Sequence, residues 1–272
     1  MKYLLDSHTH SLMSGHAYNT VQEMALAAKA KGLSALAVTE HAPTVPGTCD
    51  PIYFTNYNVV DRYMYGIELL LGVELNIVDY QGKLDLPSTK LKKIDIGIAS
   101  IHPNVGNGEQ YPAYVPGSIK ENTRAYLGAM ESPDVDVIGH PDDSRVPVDY
   151  EVLVRGARDN HVLLELNAAS LDPMNVRGKG GAAENMKRML MYCERFGVPV
   201  IVDSDAHCAC SIGRFEKIDA ILNEVHFPQE LVVNGDLALY KSFLHRFQNS
   251  VILNSRDVWE HLGAEQKQAK VL

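Results

Sequence analysis

The feature that most constrains this chain is a recurrence. Short apolar runs alternate with stretches of helical length, and each run delivers a polar or metal-competent side chain at its end. Tyr3-Leu4-Leu5 leads into Asp6, His8 and His10. Residues 35–38 lead into Thr39-Glu40-His41, residues 71–75 contain Glu74, and residues 94–101 lead into His102. Residues 135–138 precede Gly139-His140-Pro141, residues 162–166 carry Glu165 and then Asn167, and residues 198–202 precede Asp203-Ser204-Asp205-Ala206-His207. Most runs are continuous rather than alternating, as parallel strands buried on both faces read. Repeated β-α units fit a closed parallel barrel or an open doubly wound sheet. A barrel gathers the carboxyl ends of its strands around one mouth, where active sites sit. An open sheet would spread these side chains along an edge too long for shared ligation, so the chemistry favours closure.

The helical stretches carry their own punctuation. Thr20 reads as the cap of a helix with Val21, Met24, Ala25 and Ala28 on its apolar face, ended by Gly32. Residues 57–70 have helical length. Ser118 caps residues 118–130, residues 150–160 form the next helix, and residues 182–196 form another, ended by Gly197. Residues 215–225 and 237–247 read as helices, with a possible short strand over residues 231–233.

Seven of the 11 histidines (His8, His10, His16, His41, His102, His140 and His207) fall at strand ends or in the first loop. In an extended segment His8 and His10 point to the same side, so both imidazoles can face one cation. Buried imidazoles in such number need partners, and metal ions supply them. His161, His226, His245 and His261 lie in or beside helices and read as solvated or capping residues. With Glu74 and Asp205 the seven make nine candidate ligands, too many for one catalytic zinc with three protein ligands and an open position. A multinuclear site follows, with Glu74 as the natural bridge, because its two oxygens can each meet a different cation.

Composition sets the outer limits. With 272 residues and 46% apolar content, the chain can build one large α/β domain or two small ones. A net charge of −9 argues against a nucleic-acid interface. It leaves a small anionic substrate open, because bound cations reverse the local field. No run approaches the roughly 20 apolar residues of a membrane span. Asp6 and His8 interrupt any secretory signal, so the expected setting is the reducing cytoplasm.

The motifs His8-x-His10, His16, Glu40-His41, Glu74, Ser100-Ile101-His102, Gly139-His140-Pro141 and Ser204-Asp205-Ala206-His207 resemble those of the PHP (polymerase and histidinol phosphatase) superfamily. His16-Ala17-Tyr18 and Gly72-Val73-Glu74-Leu75-Asn76 are most similar to its small single-domain phosphatases of the YcdX type. The resemblance spans nearly the whole chain and so implies one domain over residues 1–272. It implies a distorted (β/α)7 TIM-like barrel with a trinuclear site. The three divalent ions would be zinc, or manganese or iron, and the activity phosphoester hydrolysis. Carried over by motif, one metal takes His8, His10, Glu74 and Asp205. A second takes His16, His41 and His207, and a third takes the other oxygen of Glu74 with His102 and His140.

The expected reaction is hydrolysis of a small phosphomonoester by a hydroxide bridging two metals, its pKa lowered by the cations. Glu74, Asp205 and His207 are the expected catalytic residues, the last two as handlers of the leaving-group proton. Arg177 and Lys179, in a glycine-rich loop after the sixth strand, are the expected phosphate contacts. Asn167 can orient substrate or a ligand, and Tyr18 and Asn19 can line the pocket. Cys208-x-Cys210 beside His207 reads as a pair of small buried thiols. Histidinol phosphate, a phosphodiester or oligonucleotide, and an amide or lactone are the alternative substrates. A homo-oligomer is compatible with all of this.

Overall fold

Apolar runs whose backbone groups pair on both sides become the inner wall of a barrel. The computed structural model describes residues 2–177 and 180–247. Its sheet runs β1 (Leu5–Asp6), β2 (Ala35–His41), β4 (Ile67–Asn76), β5 (Ile96–Ser100), β6 (Val137–Ile138), β7 (Leu163–Asn167) and β8 (Val200–Asp203), each parallel to the next. A short β3 (Tyr63–Met64) adds antiparallel to β4. Around the sheet lie α1 (Val21–Ala30), α2 (Ile52–Thr55), α3 (Ile119–Met130), α4 (Tyr150–Asn160), α5 (Ala182–Phe196), α6 (Glu216–Glu224) and α7 (Leu237–Phe243). This is the seven-stranded, nearly closed parallel barrel with helices that the sequence leads one to expect.

Local chemistry explains the helix ends. Thr20 and Ser118 each close a capping box, with Glu23 and Glu121 returning a carboxylate to the cap N–H. Gly197 ends α5 at φ 66°, a left-handed conformation that costs glycine little. Met186, Met189, Leu190 and Cys193 form the buried face of α5 at helical spacing. Each such side chain contributes roughly 1.5–3 kcal/mol by leaving water.

The seam between β8 and β1 is built from side chains. Among the described residues no ladder pairs these strands. Asp203 accepts from the Ser7 N–H and hydroxyl at 2.6 and 2.8 Å, and Asp6 accepts from the Ser204 N–H at 3.0 Å. Lower in the barrel Asn234 stands in for a strand. Its side-chain carbonyl accepts from Val202 N–H, its amide donates to the carbonyls of Val202 and Leu5, and its own carbonyl accepts from Leu4 N–H. At the mouth the His10 N–H donates to Ala206 O at 2.9 Å, which registers the His8-x-His10 segment against the last strand end.

Three local expectations need correction. Residues 57–70 do not form a helix: a 3-10 turn covers Tyr57–Val59, and β3 turns back into β4. The reversal occurs at Tyr65 (φ 54°) and Gly66 (φ 85°), two successive left-handed residues that suit a two-residue hairpin. Residues 231–233 form no strand but 3-10 turns, with one parallel bridge between Val200 and Val232. The helix expected over residues 237–247 stops at Phe243, and a 3-10 turn covers His245–Phe247.

Candidate metal centre and active site

Strand ends and the loops after them bring the nine expected ligands together at the mouth. Glu74 sits at the centre with its two oxygens facing different sets. Its Oε1 lies 3.1 Å from His140 Nε2 and 3.4 Å from the Nε2 atoms of His8 and His102. Its Oε2 lies 2.6 Å from His41 Nδ1 and 3.6 Å from His10 Nε2. Asp205 Oδ1 is 3.3 Å from His10 Nε2 and 3.7 Å from His8 Nε2. His207 Nε2 is 3.0 Å from His16 Nε2 and 3.4 Å from His41 Nε2. Around Glu74 the rings divide so that His8 shares the Oε1 side with His102 and His140, while His10 and His41 share Oε2, a division that differs from the expected sets at both His8 and His41.

The rings are aimed by their outer nitrogens. His8 Nδ1 meets Glu165 Oε1 at 2.7 Å, His102 Nδ1 meets Asn76 Oδ1 at 2.7 Å, and His207 Nδ1 meets Asp205 O at 3.1 Å. His10 Nδ1 meets Ser14 Oγ at 3.0 Å; that hydroxyl donates to Glu40 Oε2, so it can accept from the imidazole. The Asn76 amide donates to Asp85 and Ala42 O, which turns its carbonyl oxygen towards His102. Each of these four imidazoles thus carries its proton on Nδ1 and turns Nε2 inward. Metal-binding histidines are held in this way.

Inward-facing atoms are left without ordinary hydrogen bonds. His8 Nε2 and His10 Nε2 are buried and lack them, and the buried His41 Nδ1 and Glu74 Oε2 meet only each other, as an ion-pair contact at 2.6 Å. Leaving such groups unpaired costs about 1–3 kcal/mol each. Three sets, His10-His41-His207, His8-His10-Glu74 and His41-Glu74-His102, place one donor atom from each residue within 4.8 Å of the others. Most of the contacts above match the donor-to-donor edge of a tetrahedral zinc, about 3.3 Å for bonds of roughly 2.0–2.1 Å. The residues present therefore fit divalent cations.

Electrostatics agrees with that fit. Burial pushes His41 down to about 3, and burial lowers His10, His16 and His140 as well, so these rings are neutral donors. Burial also opposes charge on His8, but Glu165, Glu74 and Asp205 outweigh it and raise this imidazole. Burial would raise Glu74, yet His102, His8 and His41 hold it well below the usual carboxylate range. Asp205 is held low against the same burial by His8 and Arg177. Two of the expected ligands sit in strained backbone, His140 at φ 32° and Asp205 at φ 52°, a marker of functional geometry.

A cleft of about 980 Å³ opens above the cluster, lined among others by His16, His41, His102, Asp205, His207 and Arg177. Arg177 is buried, pairs with Asp205 Oδ2 and reaches Asn167 Oδ1 at 3.4 Å. Lys179 and His261 lie outside the described residues. Tyr18 also lines the cleft and is 77% exposed, while the Asn19 side chain holds Ala209 N–H instead. Cys208 and Cys210 are not buried: the first is half-buried and the second exposed. His245 is no solvated bystander, because it binds Asp136 at 2.8 Å. The positioning residues Ser14, Glu40, Asn76 and Glu165 escaped assignment in the sequence. Glu40 and Glu165 were visible at strand ends, but nothing local told which imidazole each would hold.

Comparison with known proteins agrees with this architecture. The PHP domain family matches residues 6–169, a span that stops before Asp205 and His207. A probable phosphatase of Clostridium novyi is 42% identical over 236 residues, covering 87% of this chain and 92% of that protein. A probable phosphatase of Acetivibrio thermocellus is 37% identical over 246 residues, 90% of this chain and 97% of the relative. Among solved structures, a histidinol phosphate phosphatase of Lactococcus lactis, complexed with zinc, L-histidinol and phosphate, superposes with a TM-score of 0.56. It is 20% identical and covers 83% of this chain and 95% of that one. A histidinol phosphatase of Listeria monocytogenes, described as putative, gives 0.56 at 18% identity over 78% and 99%. The phosphatase expected from the sequence agrees with these relatives, and the chain belongs to the PHP domain family.

Proposed function

We propose that this protein is a metal-dependent phosphoesterase that hydrolyses a small phosphomonoester at a trinuclear centre. The observation that carries the proposal is the ring of inward-facing, unpartnered donor atoms around Glu74, beside the buried guanidinium of Arg177. His8, His10, Glu74 and Asp205 would hold one divalent cation, His16, His41 and His207 a second, and Glu74, His102 and His140 a third, with zinc the first choice. When bound, such cations neutralise phosphoryl charge and lower the pKa of water.

The chain's own residues do the rest. Glu165, Ser14 and Asn76 fix the tautomers of His8, His10 and His102, so the donor set is formed before substrate arrives. His8 and then Arg177 keep Asp205 ionised, and Arg177 offers its positive charge at the cleft wall to a phosphoryl oxygen. Asp205 Oδ1 and His207 Nδ1 are 3.5 Å apart, a short path for the proton that the leaving alkoxide needs. Work in a reducing cytoplasm is part of the proposal, supported by four free cysteines. No helix among the described residues is long and apolar enough to cross a membrane.

The test joins metal analysis to a hydrolysis panel of p-nitrophenyl phosphate, histidinol phosphate, a phosphodiester and a lactone. About three metals per chain with preference for a monoester is the expected result. One metal per chain with turnover of the lactone alone would overturn it.

A further inference from the structure

Cys208 and Cys210 take no part in the chemistry above, yet they occupy a place where they can govern it. We propose that they form a vicinal dithiol site that closes to an intrachain disulfide by exchange with a small-molecule disulfide, and that closure displaces His207 at the mouth.

Three observations carry this. The two Sγ atoms are in contact, 2.8 Å apart, and both residues are free cysteines. Cys210 is exposed and Cys208 half-buried on the cleft wall, so a small disulfide reaches them, whereas Cys49 and Cys193 are buried. Finally, the loop that carries them is tied to the donor cluster. Cys208 follows His207 directly, His207 O accepts from Tyr18 N–H at 3.0 Å, and Ala209 N–H donates to Asn19 Oδ1 at 2.8 Å. The turn from Cys208 to Ser211 is closed by Ser211 N–H on Cys208 O at 2.8 Å. A disulfide constrains its two backbones to a narrow geometry. Here that constraint falls on the residue next to His207, within a turn pinned to the loop of His16.

The exchange balances simply. One cysteine thiolate attacks the small disulfide, forms a mixed disulfide and expels one thiolate. The second cysteine then attacks the protein sulfur of that mixed disulfide and expels the other. The dithiol loses two electrons, the small disulfide gains them, and the two cysteine protons end on the released thiols.

The test treats metal-loaded protein with glutathione disulfide and reads three quantities: peptide mass, retained metal and phosphatase rate. The expected product is a peptide spanning Cys208 and Cys210 lighter by two hydrogens, with retained metal and rate falling in step with its yield. A rate loss of about tenfold or more fits a ligand moved by roughly an ångström, and a phosphine reductant is expected to reverse it. Cys210→Ser should keep the reduced-state rate and form no intrachain link. Absence of the linked peptide in the wild type, or complete linkage with unchanged metal and rate, would overturn the proposal. The mass readout holds whether or not the phosphatase reading does, so failure of one is distinguishable from failure of the other.

Discussion

Glu165 and His8 meet at 2.7 Å, Oε1 against Nδ1, with neither side chain open to solvent. The other oxygen of Glu165 accepts from the backbone N–H of His140 at 2.5 Å and from the Asn167 amide at 3.0 Å. One carboxylate thereby sets the ring of the first expected ligand and the backbone of the seventh. Gln in its place presents an amide N–H where an acceptor is needed. Glu165→Gln is expected to weaken metal affinity about 10- to 100-fold. Competition with a graded series of chelators measures it, and wild-type affinity would remove Glu165 from the positioning role.

Glu74→Ala removes the carboxylate that faces five imidazoles, His8, His10, His41, His102 and His140. Bound metal should drop and turnover should fall by about 10³-fold or more. Elemental analysis beside a rate assay decides, and circular dichroism checks that the barrel survives. Full metal content with full activity would end the bridging assignment.

Arg177→Ala should act on the substrate rather than the metals. Asp205 keeps its place near His8 and His10, so metal content should hold. The KM for phosphomonoesters should rise about tenfold, the cost of one charge-assisted contact. An unaltered KM across the panel would dismiss the phosphate role.

Asn234→Ala removes a side chain that serves Val202 N–H, Val202 O and Leu5 O inside the seam. The orphaned backbone groups should cost about 3 kcal/mol of stability. Urea unfolding of wild type and variant reads this directly, and a difference under 1 kcal/mol, about one ordinary hydrogen bond, would show that the seam closes without it.

His245 is raised above its usual value, first by its hydrogen bond to Asp136. Its stabilisation is therefore fully present below the unfolded value of about 6.5 and is lost as pH rises through the folded value. His245→Gln should cost about 1 kcal/mol in acid and little in base. A stability difference independent of pH would refute the linkage.

Much of the site was legible because a barrel turns a one-dimensional pattern into a ring. Runs buried on both faces are continuous, and the residue after each run must emerge at the mouth. His41, His102 and His140 could therefore be placed without knowing their neighbours. The hairpin at Tyr65-Gly66 was missed because residues 57–70 have the length of a helix, and the first half of a ten-residue buried strand shows no alternation. Cys208 and Cys210 were misplaced because exposure depends on what packs over a loop, which spacing does not encode.

The sequence by itself determined the strand-helix alternation, the closed parallel architecture and the identity of the converging side chains, since these follow from local burial and chain connectivity. Only the tertiary structure decided which partner aims each ring. Ser14 and Glu40 behind His10, Asn76 and Asp85 behind His102, and Glu165 between His8 and His140 are set by packing in space. Asn234 at the seam belongs with them. Its hydrogen bonds reach Val202 and Leu5, 32 and 229 residues away. No short-range pattern records contacts of that span, because they exist only once the barrel has closed.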